Sequence, residues 1–318
     1  LKLHSKNSER KNIHRSNYRY IGMRGSSVNS SASISLINSA ASGLIEKLAH
    51  RENFERLAKV FEVLEFHPSI EFAFKPMYQN LEPIDVYDQP RQVNLLNFMH
   101  NERIDEIEKT LRIKSDSKTH ATLRVLSDET LQEIHIALKT INSHLPNRSY
   151  LKLKATYQQQ WNYQFDGEYG NNHFILNAIQ TLLKYDLIKL MDLRLSKPSN
   201  REMSLRRASS GEQCMLVIML GIAGHITDNS SIFIDEPEIS LHPKWQEKFM
   251  SLLIEVFSTY SGCSFYIATH SPQIISKLAE DNCFITSLAK KEIYNASDYK
   301  DRSADFQLAE LFDAPGSM

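Results

Sequence analysis

Three cysteines, Cys214, Cys263 and Cys283, occur in 318 residues. They are too few and too scattered for a disulfide framework or a cysteine-bound zinc site, and their apolar surroundings mark them as reduced core residues of a cytoplasmic protein. No apolar run approaches the length needed to cross a membrane as a helix, and no secretory leader is legible. An excess of charge is lacking too: 37 Lys and Arg stand against 38 Asp and Glu, a formal net charge of −1. No overall field therefore draws the chain to nucleic acid or to an anionic membrane. Glycine is sparse, with ten residues at positions 22, 25, 43, 167, 170, 211, 221, 224, 262 and 316, and none precedes a lysine. A phosphate loop of the form G-x-x-x-x-G-K-[ST] does not occur within these residues.

What is present is a composition of ordinary globular type, 42% hydrophobic and 24% charged, long enough for two structural units. The charge is uneven. Residues 1–30 carry Lys2, Lys6, Arg10, Lys11, Arg15, Arg19 and Arg24 against the single acid Glu9, a solvated basic loop or a phosphate-contacting arm. "YRYIGMRGSS" from Tyr18 reads as a short strand entering a glycine turn. From about residue 32 to 190 the helical period dominates. One stripe runs through Leu57, Phe61 and Leu64, another through Leu96, Met99, Arg103, Ile107 and Leu111, and a third through Leu131, Ile134, Leu138, Ile141 and Leu145. "EFAFKPMYQNLEPIDVYDQP" interrupts them with strand-like alternation and three prolines. The last third alternates short apolar strands ("SIFID", "SFYIATH", "NCFITS") with helical runs ("KWQEKFMSLLIEVFS", "PQIISKLAE"). That alternation predicts an α/β fold with a parallel sheet covered on both faces.

Chemistry collects at the ends of these runs, where ligands of open parallel sheets bind. "SSGEQ", Ser209 to Gln213, opens the apolar run "CMLVIMLGIAG". Such a turn is either an N-cap, with Ser209 or Ser210 accepting a backbone hydrogen bond, or an anion site that leaves amides free at the positive end of a helix. "SIFIDEPEISLHP" ends a strand in two acids: Asp235 is placed to hold Mg²⁺ and Glu236 to polarise a water. "YIATHSP" ends a second strand in His270, a donor to a terminal phosphate and to attacking water.

These motifs resemble the ABC-type ATPase heads. "SSGEQ" matches their signature, "SIFIDEPE" their Walker B strand with its catalytic glutamate, "SLHP" the loop after it and "ATHSP" the switch histidine. "DEPEISLHP" with "THSP" is similar to the branch containing OLD-family and related stand-alone ATPases. "YRYIGMRGSS" and "ADFQLAELFDAPG" are similar to flanks in the ATPases of Septu-type and retron-linked antiphage systems. The resemblance implies a P-loop-type α/β head. Residues 1–48 would be the remainder of lobe I, 49–190 a helical insertion, and 191–318 lobe II. It implies ATP and Mg²⁺ as cofactors, with Ser209, Ser210, Gly211, Glu212 and Gln213 contacting nucleotide, Asp235 the metal, and Glu236 and His270 acting in hydrolysis. It also implies a homodimer or higher homo-oligomer through the heads, and control of a partner effector, an HNH-type nuclease, with DNA or retron RNA/DNA as a possible further ligand. The family's P-loop is expected N-terminal to Leu1; the alternative is a degenerate head that binds no nucleotide alone. Competing functions are an SMC-like ATPase, disfavoured by the absence of sustained heptads, an OLD-type ATPase–nuclease, and a non-hydrolysing scaffold.

Overall fold

The computed structural model describes residues 32–50, 54–76, 102–107, 123–143, 150–165, 168–169, 173–185, 187–199, 201–276, 278, 282–288, 290–300, 302, 306–307 and 310–311. The basic segment 1–30 and the "YRYIGMRGSS" strand lie outside them.

Two helices form the centre. α1 (Ala32–His50) and α5 (Ser210–His225) pack along each other. α5 buries residues all round its circumference (Met215, Leu216, Val217, Met219, Leu220, Ile222 and Ala223), as a helix enclosed by other elements must. α1 meets it with Ala40, Ala41, Leu44 and Leu48, all fully buried. The two backbones touch at a glycine crossing. A Cβ on Gly224 would stand 2.6 Å from the Leu44 amide nitrogen, and one on Gly43 would enter the His225 ring.

On one side of this pair lies a six-stranded antiparallel sheet of order β4–β3–β2–β1–β5–β6. Its strands are β1 (Ser69–Pro76), β2 (Leu151–Gln158), β3 (Gln160–Phe165), β4 (Glu168–Tyr169), β5 (Ile188–Ser196) and β6 (Glu202–Ser204). Period-two alternation puts Leu151, Leu153 and Ala155 inside and Lys152 outside. The outer side carries an ion network: Arg194 pairs with Asp192 (3.0 Å), Glu71 (3.4 Å) and Glu202 (3.8 Å). α2 (Phe54–Val63), α3 (Asp128–Ser143) and α4 (His173–Lys184) complete this part. The stripes read from the sequence are their buried faces: Leu57 and Phe61 on α2, and Leu131, Ile134, Leu138 and Ile141 on α3, are all buried. Leu96, Met99, Leu111 and Leu145 lie outside the described residues.

The helical reading of 32–190 is corrected over 151–158, 160–165, 168–169 and 188–190, which are strands, while the strand-like alternation read from Glu71 is part of β1 up to Pro76. In β5 the signal is broken by a bulge. Phe74 pairs with Leu190 and Ala73 with Asp192, leaving Met191 unpaired. The buried positions jump from Ile188 and Leu190 to Leu193 and Leu195, so simple alternation is lost.

On the other side of α5, β7 (Ser231–Asp235) and β8 (Ser264–Ala268) pair in parallel, connected by α6 (Pro243–Phe257). A short α7 (Pro272–Ser276) follows β8, and β9 (Phe284–Ser287) pairs antiparallel with β10 (Glu292–Asn295). Each of the strands and helices expected in this last third is present. The expected cover on both faces is not seen among the described residues. Ile232, Ile234, Phe265 and Ile267 pack against the core, while Phe233 and Tyr266 stack on each other at 4.8 Å and stay 73% and 53% exposed.

The amino ends of β7 and β8 are anchored. Arg56 of α2 binds Asp228 at 2.8 Å, and Asp228 accepts the Ser261 amide at 2.9 Å. The hydrogen bond from Arg56 holds the Asp228 carboxyl below the usual range. Arg56 and the Lys47 ammonium each lie about 5 Å from the centroid of the Tyr260 ring (5.0 and 5.1 Å). The carboxyl ends of the two strands carry Asp235, Glu236 and His270.

Candidate functional site at the carboxyl ends of β7 and β8

The β7–β8 ladder ends with Asp235 beside Ala268, and the Glu236 amide adds one more bond to the Ala268 carbonyl at 2.8 Å. At Glu236 the chain turns sharply: φ 45° and ψ 58° place it in the left-handed region. For a non-glycine residue this costs about 1–2 kcal/mol and persists only where the surroundings enforce it. Pro237 follows and starts a 3-10 turn, Pro237–Ser240.

The turn brings Glu236 to His270, whose Nε2 stands 3.4 Å from Oε1 of the carboxylate, with side chains 80% and 40% exposed respectively. Asp235 and Glu236 therefore differ in surroundings although they adjoin. Asp235 is exposed and has no hydrogen-bond or ionic partner among the described residues. A free carboxylate at a strand end suits Mg²⁺, which takes one or two carboxylates, waters and phosphate oxygens rather than an all-protein cage. No group of three metal-ligating side chains exists among the described residues, so a dedicated protein cage does not fit while a phosphate-borne ion does.

"SSGEQ" adopts a capping box. The Ser209 hydroxyl accepts the Glu212 amide at 3.4 Å, and the Glu212 carboxylate takes the Ser209 amide at 3.2 Å and its hydroxyl at 2.8 Å. Gln213 donates from Nε2 to the Leu205 carbonyl at 3.1 Å. Three of the five side chains thus hold the shape of the turn. The backbone amides of Ser210 and Gly211 have no acceptor among the described residues and sit at the positive end of a 16-residue helix, a fit for an anionic oxygen. The cap and the anion site are compatible readings of the same turn.

The expected core cysteines prove half-buried, at the edge of the apolar cluster. Burial pushes the Cys214 thiol up, so it resists becoming the nucleophilic thiolate.

Two residues that sequence reasoning passed over complete the site. Glu238 accepts the His270 backbone amide at 2.6 Å. Gln246 of α6 donates to the carbonyls of Leu241 (2.8 Å) and Glu238 (3.4 Å) and accepts the Ser271 hydroxyl at 2.7 Å. Glu238 belongs to the motif "DEPE", but its partner is 32 residues away, so only the fold identifies it.

A family model described as "AAA ATPase domain" matches residues 6–275. The "Retron Ec83 probable ATPase" of Escherichia coli is 29% identical over 112 residues, 32% of this chain and 20% of that protein. "Protein ea59" of Escherichia phage lambda is 29% identical over 96 residues, 30% of this chain and 18% of that protein. The chain thus spans about a fifth of the length of these curated relatives. No helix among the described residues is long and apolar enough to cross a membrane. With that model matching most of its length, the chain belongs to the AAA ATPase domain family.

Proposed function

We propose that this domain hydrolyses ATP in the manner of the ABC-type heads. Glu236 accepts a proton from the attacking water, and His270 donates from its imidazole toward the terminal phosphate. The observation that carries the reading is the approach of His270 to Glu236, 3.4 Å apart, at the exits of β7 and β8. In hydrolysis the water oxygen bonds to the terminal phosphorus, the bond to the bridging oxygen breaks, and the water's proton passes to Glu236. Asp235 would hold Mg²⁺, which would supply charge neutralisation on the phosphates. A general base of this kind contributes ~10²–10⁴-fold.

Ser210 and Gly211 serve a second copy. Ser210 is exposed and Gly211 half-buried, and their amides would complete the nucleotide site of a facing head, with the P-loop supplied by the full-length protein. The assembly is then a homo-oligomer of head-to-head pairs. Its output is control of an effector, a nuclease in antiphage defence, a reading supported by similarity to a protein named as a retron ATPase. The expected lobe boundaries, 1–48, 49–190 and 191–318, are kept as a proposal in which the middle segment is mixed rather than helical.

The experiment mixes full-length protein carrying Gly211→Asp with full-length protein disabled in its P-loop. A Cβ with a carboxylate at 211 blocks close approach of the amides to phosphate. The expected outcome is recovered turnover, since one composite site per pair is intact. No recovery under conditions where the two associate refutes the arrangement in trans. Wild-type protein that neither binds nor hydrolyses ATP refutes the enzyme reading and leaves a scaffold.

A further inference from the structure

His270 carries its imidazole 80% exposed, with Glu236 as its side-chain ion partner at 3.4 Å. A ring so exposed has little packing to place it, so its position is set by its own backbone. That backbone lies past the last pair of the β7–β8 ladder, Asp235 with Ala268. Residues 269–271 would be a free loop if nothing else held them.

Two side chains do. Oε1 of Glu238 takes the His270 amide at 2.6 Å, and Gln246 takes the Ser271 hydroxyl at 2.7 Å. The Thr269 hydroxyl closes the same turn by accepting the Ser271 amide at 3.0 Å. Gln246 also grips the β7 exit through the carbonyls of Glu238 and Leu241. Both strand exits are therefore tied to each other beyond the end of the ladder. The left-handed turn at Glu236 makes this possible: it sets Glu236 against the His270 ring and Glu238, two residues on, against the His270 amide.

We propose that Glu238 is a positioning residue, whose carboxylate clamps the His270 amide and thereby fixes the imidazole against Glu236. The proposal rests on the reading that Glu236 and His270 act on ATP. The second oxygen, Oε2, is buried and has no partner among the described residues. A role for Glu238 on metal or water would have to use this oxygen and its charge, whereas the clamp needs only one acceptor at the Oε1 position. The two roles are separable by substitution.

The test uses full-length protein with Glu238→Gln, Glu238→Leu, His270→Ala and the Glu238→Leu/His270→Ala pair. Glutamine keeps an acceptor for the amide and leucine removes it. Loss of a supporting partner of this kind costs roughly 10- to 100-fold in activity. Glu238→Leu is expected to lower kcat by about that factor with KM for ATP unchanged, and Glu238→Gln to stay close to wild type. The pair should be no worse than His270→Ala alone, because the clamp acts through the histidine. Hydrogen exchange at the His270 amide, measured without nucleotide, reads the clamp itself. It should accelerate in Glu238→Leu and stay slow in Glu238→Gln. If Glu238→Leu does not fold, Glu238→Asp withdraws the carboxylate by one methylene and takes its place in both readouts.

Wild-type kcat in Glu238→Leu, or losses that add to those of His270→Ala, overturns the proposal. So does an equal loss in Glu238→Gln, which would assign the charge to metal or water. Unchanged amide exchange overturns the clamp whatever the turnover. A wild-type protein without ATPase activity overturns the underlying functional reading, and with it the catalytic half of the proposal, even where exchange follows the expected pattern.

Discussion

Lys47 carries its ammonium into the seam between α1 and the carboxyl end of α5. There it donates to the carbonyls of Ala223 (2.8 Å) and Ile226 (3.0 Å) and meets the Tyr260 hydroxyl at 3.0 Å. Burial, with Arg56 nearby, lowers its pKa to about 8, and burial raises that of Tyr260 to about 12. Below pH 8 Lys47 is charged in both folded and unfolded chains, and its desolvation cost is fully present. Between pH 8 and 10.5 the native lysine has lost its proton while the unfolded one keeps it, so stability rises with pH across that window. The neutral amine still has two donors for the carbonyls and a lone pair for the tyrosine hydroxyl. Urea midpoints of wild type and Lys47→Met should therefore diverge from pH 8 upward, the wild type gaining on the order of 2 kcal/mol by pH 9.5. A constant difference between the two would show that Lys47 does not titrate there. Nothing in "EKLAH" announces this role, because its partners lie more than 170 residues away. The acids of "IDEPE" were legible, since a strand followed by a carboxylate pair says where they must emerge. The left-handed backbone that separates their roles was not.

At the scale of elements, the glycine crossing of α1 and α5 is the tightest contact between the two central helices. Gly43 and Gly224 both sit in helices, where glycine is about 1 kcal/mol worse than alanine, and both stand where an added Cβ would meet another atom closer than 3.0 Å. The obstacles differ. A methyl on Gly224 meets main chain, the Leu44 nitrogen at 2.6 Å and the Gly43 carbonyl carbon at 2.7 Å, whereas one on Gly43 meets the outer atoms of the His225 ring. Backbone cannot move without separating the helices; a ring can turn. Gly224→Ala is expected to destabilise by about 1–3 kcal/mol, and Gly43→Ala to stay within about 1 kcal/mol of wild type. Denaturant midpoints check this, and a stabilised Gly224→Ala would contradict the crossing. Neither glycine was recognised from sequence, since each looks like a tolerated interruption of an apolar run. β7, α6 and β8 were read correctly because apolar runs of five residues flanked by turns allow little else. β2 was missed although "LKLKATYQ" alternates cleanly, because the helical period of α3 just before it was carried forward. β5 was hidden by its bulge, which puts the two halves of the strand out of phase.

Across the whole molecule, the parallel pair is fastened at one end and carries the proposed site at the other. Arg56, Asp228, Tyr260 and Lys47 hold the amino ends of β7 and β8, while Asp235, Glu236 and His270 sit at the carboxyl ends. This division follows from the parallel arrangement: both strands deliver their exits to the same edge, so acids and histidine 34 residues apart in sequence meet there. The chain belongs to the AAA ATPase domain family over residues 6–275, and that edge is proposed as its nucleotide side. The central claim is that Glu236 acts as the base, and Glu236→Gln tests it most directly. Glutamine keeps shape and hydrogen bonding but cannot take the proton. Turnover and nucleotide-dependent dimerisation are measured on the full-length protein, with Asp235→Asn beside it as a variant that should instead weaken retention of Mg²⁺-ATP. The account predicts that Glu236→Gln binds ATP as the wild type does, hydrolyses it ~10²–10⁴-fold more slowly and accumulates as the closed dimer. Hydrolysis by Glu236→Gln at the wild-type rate would contradict it.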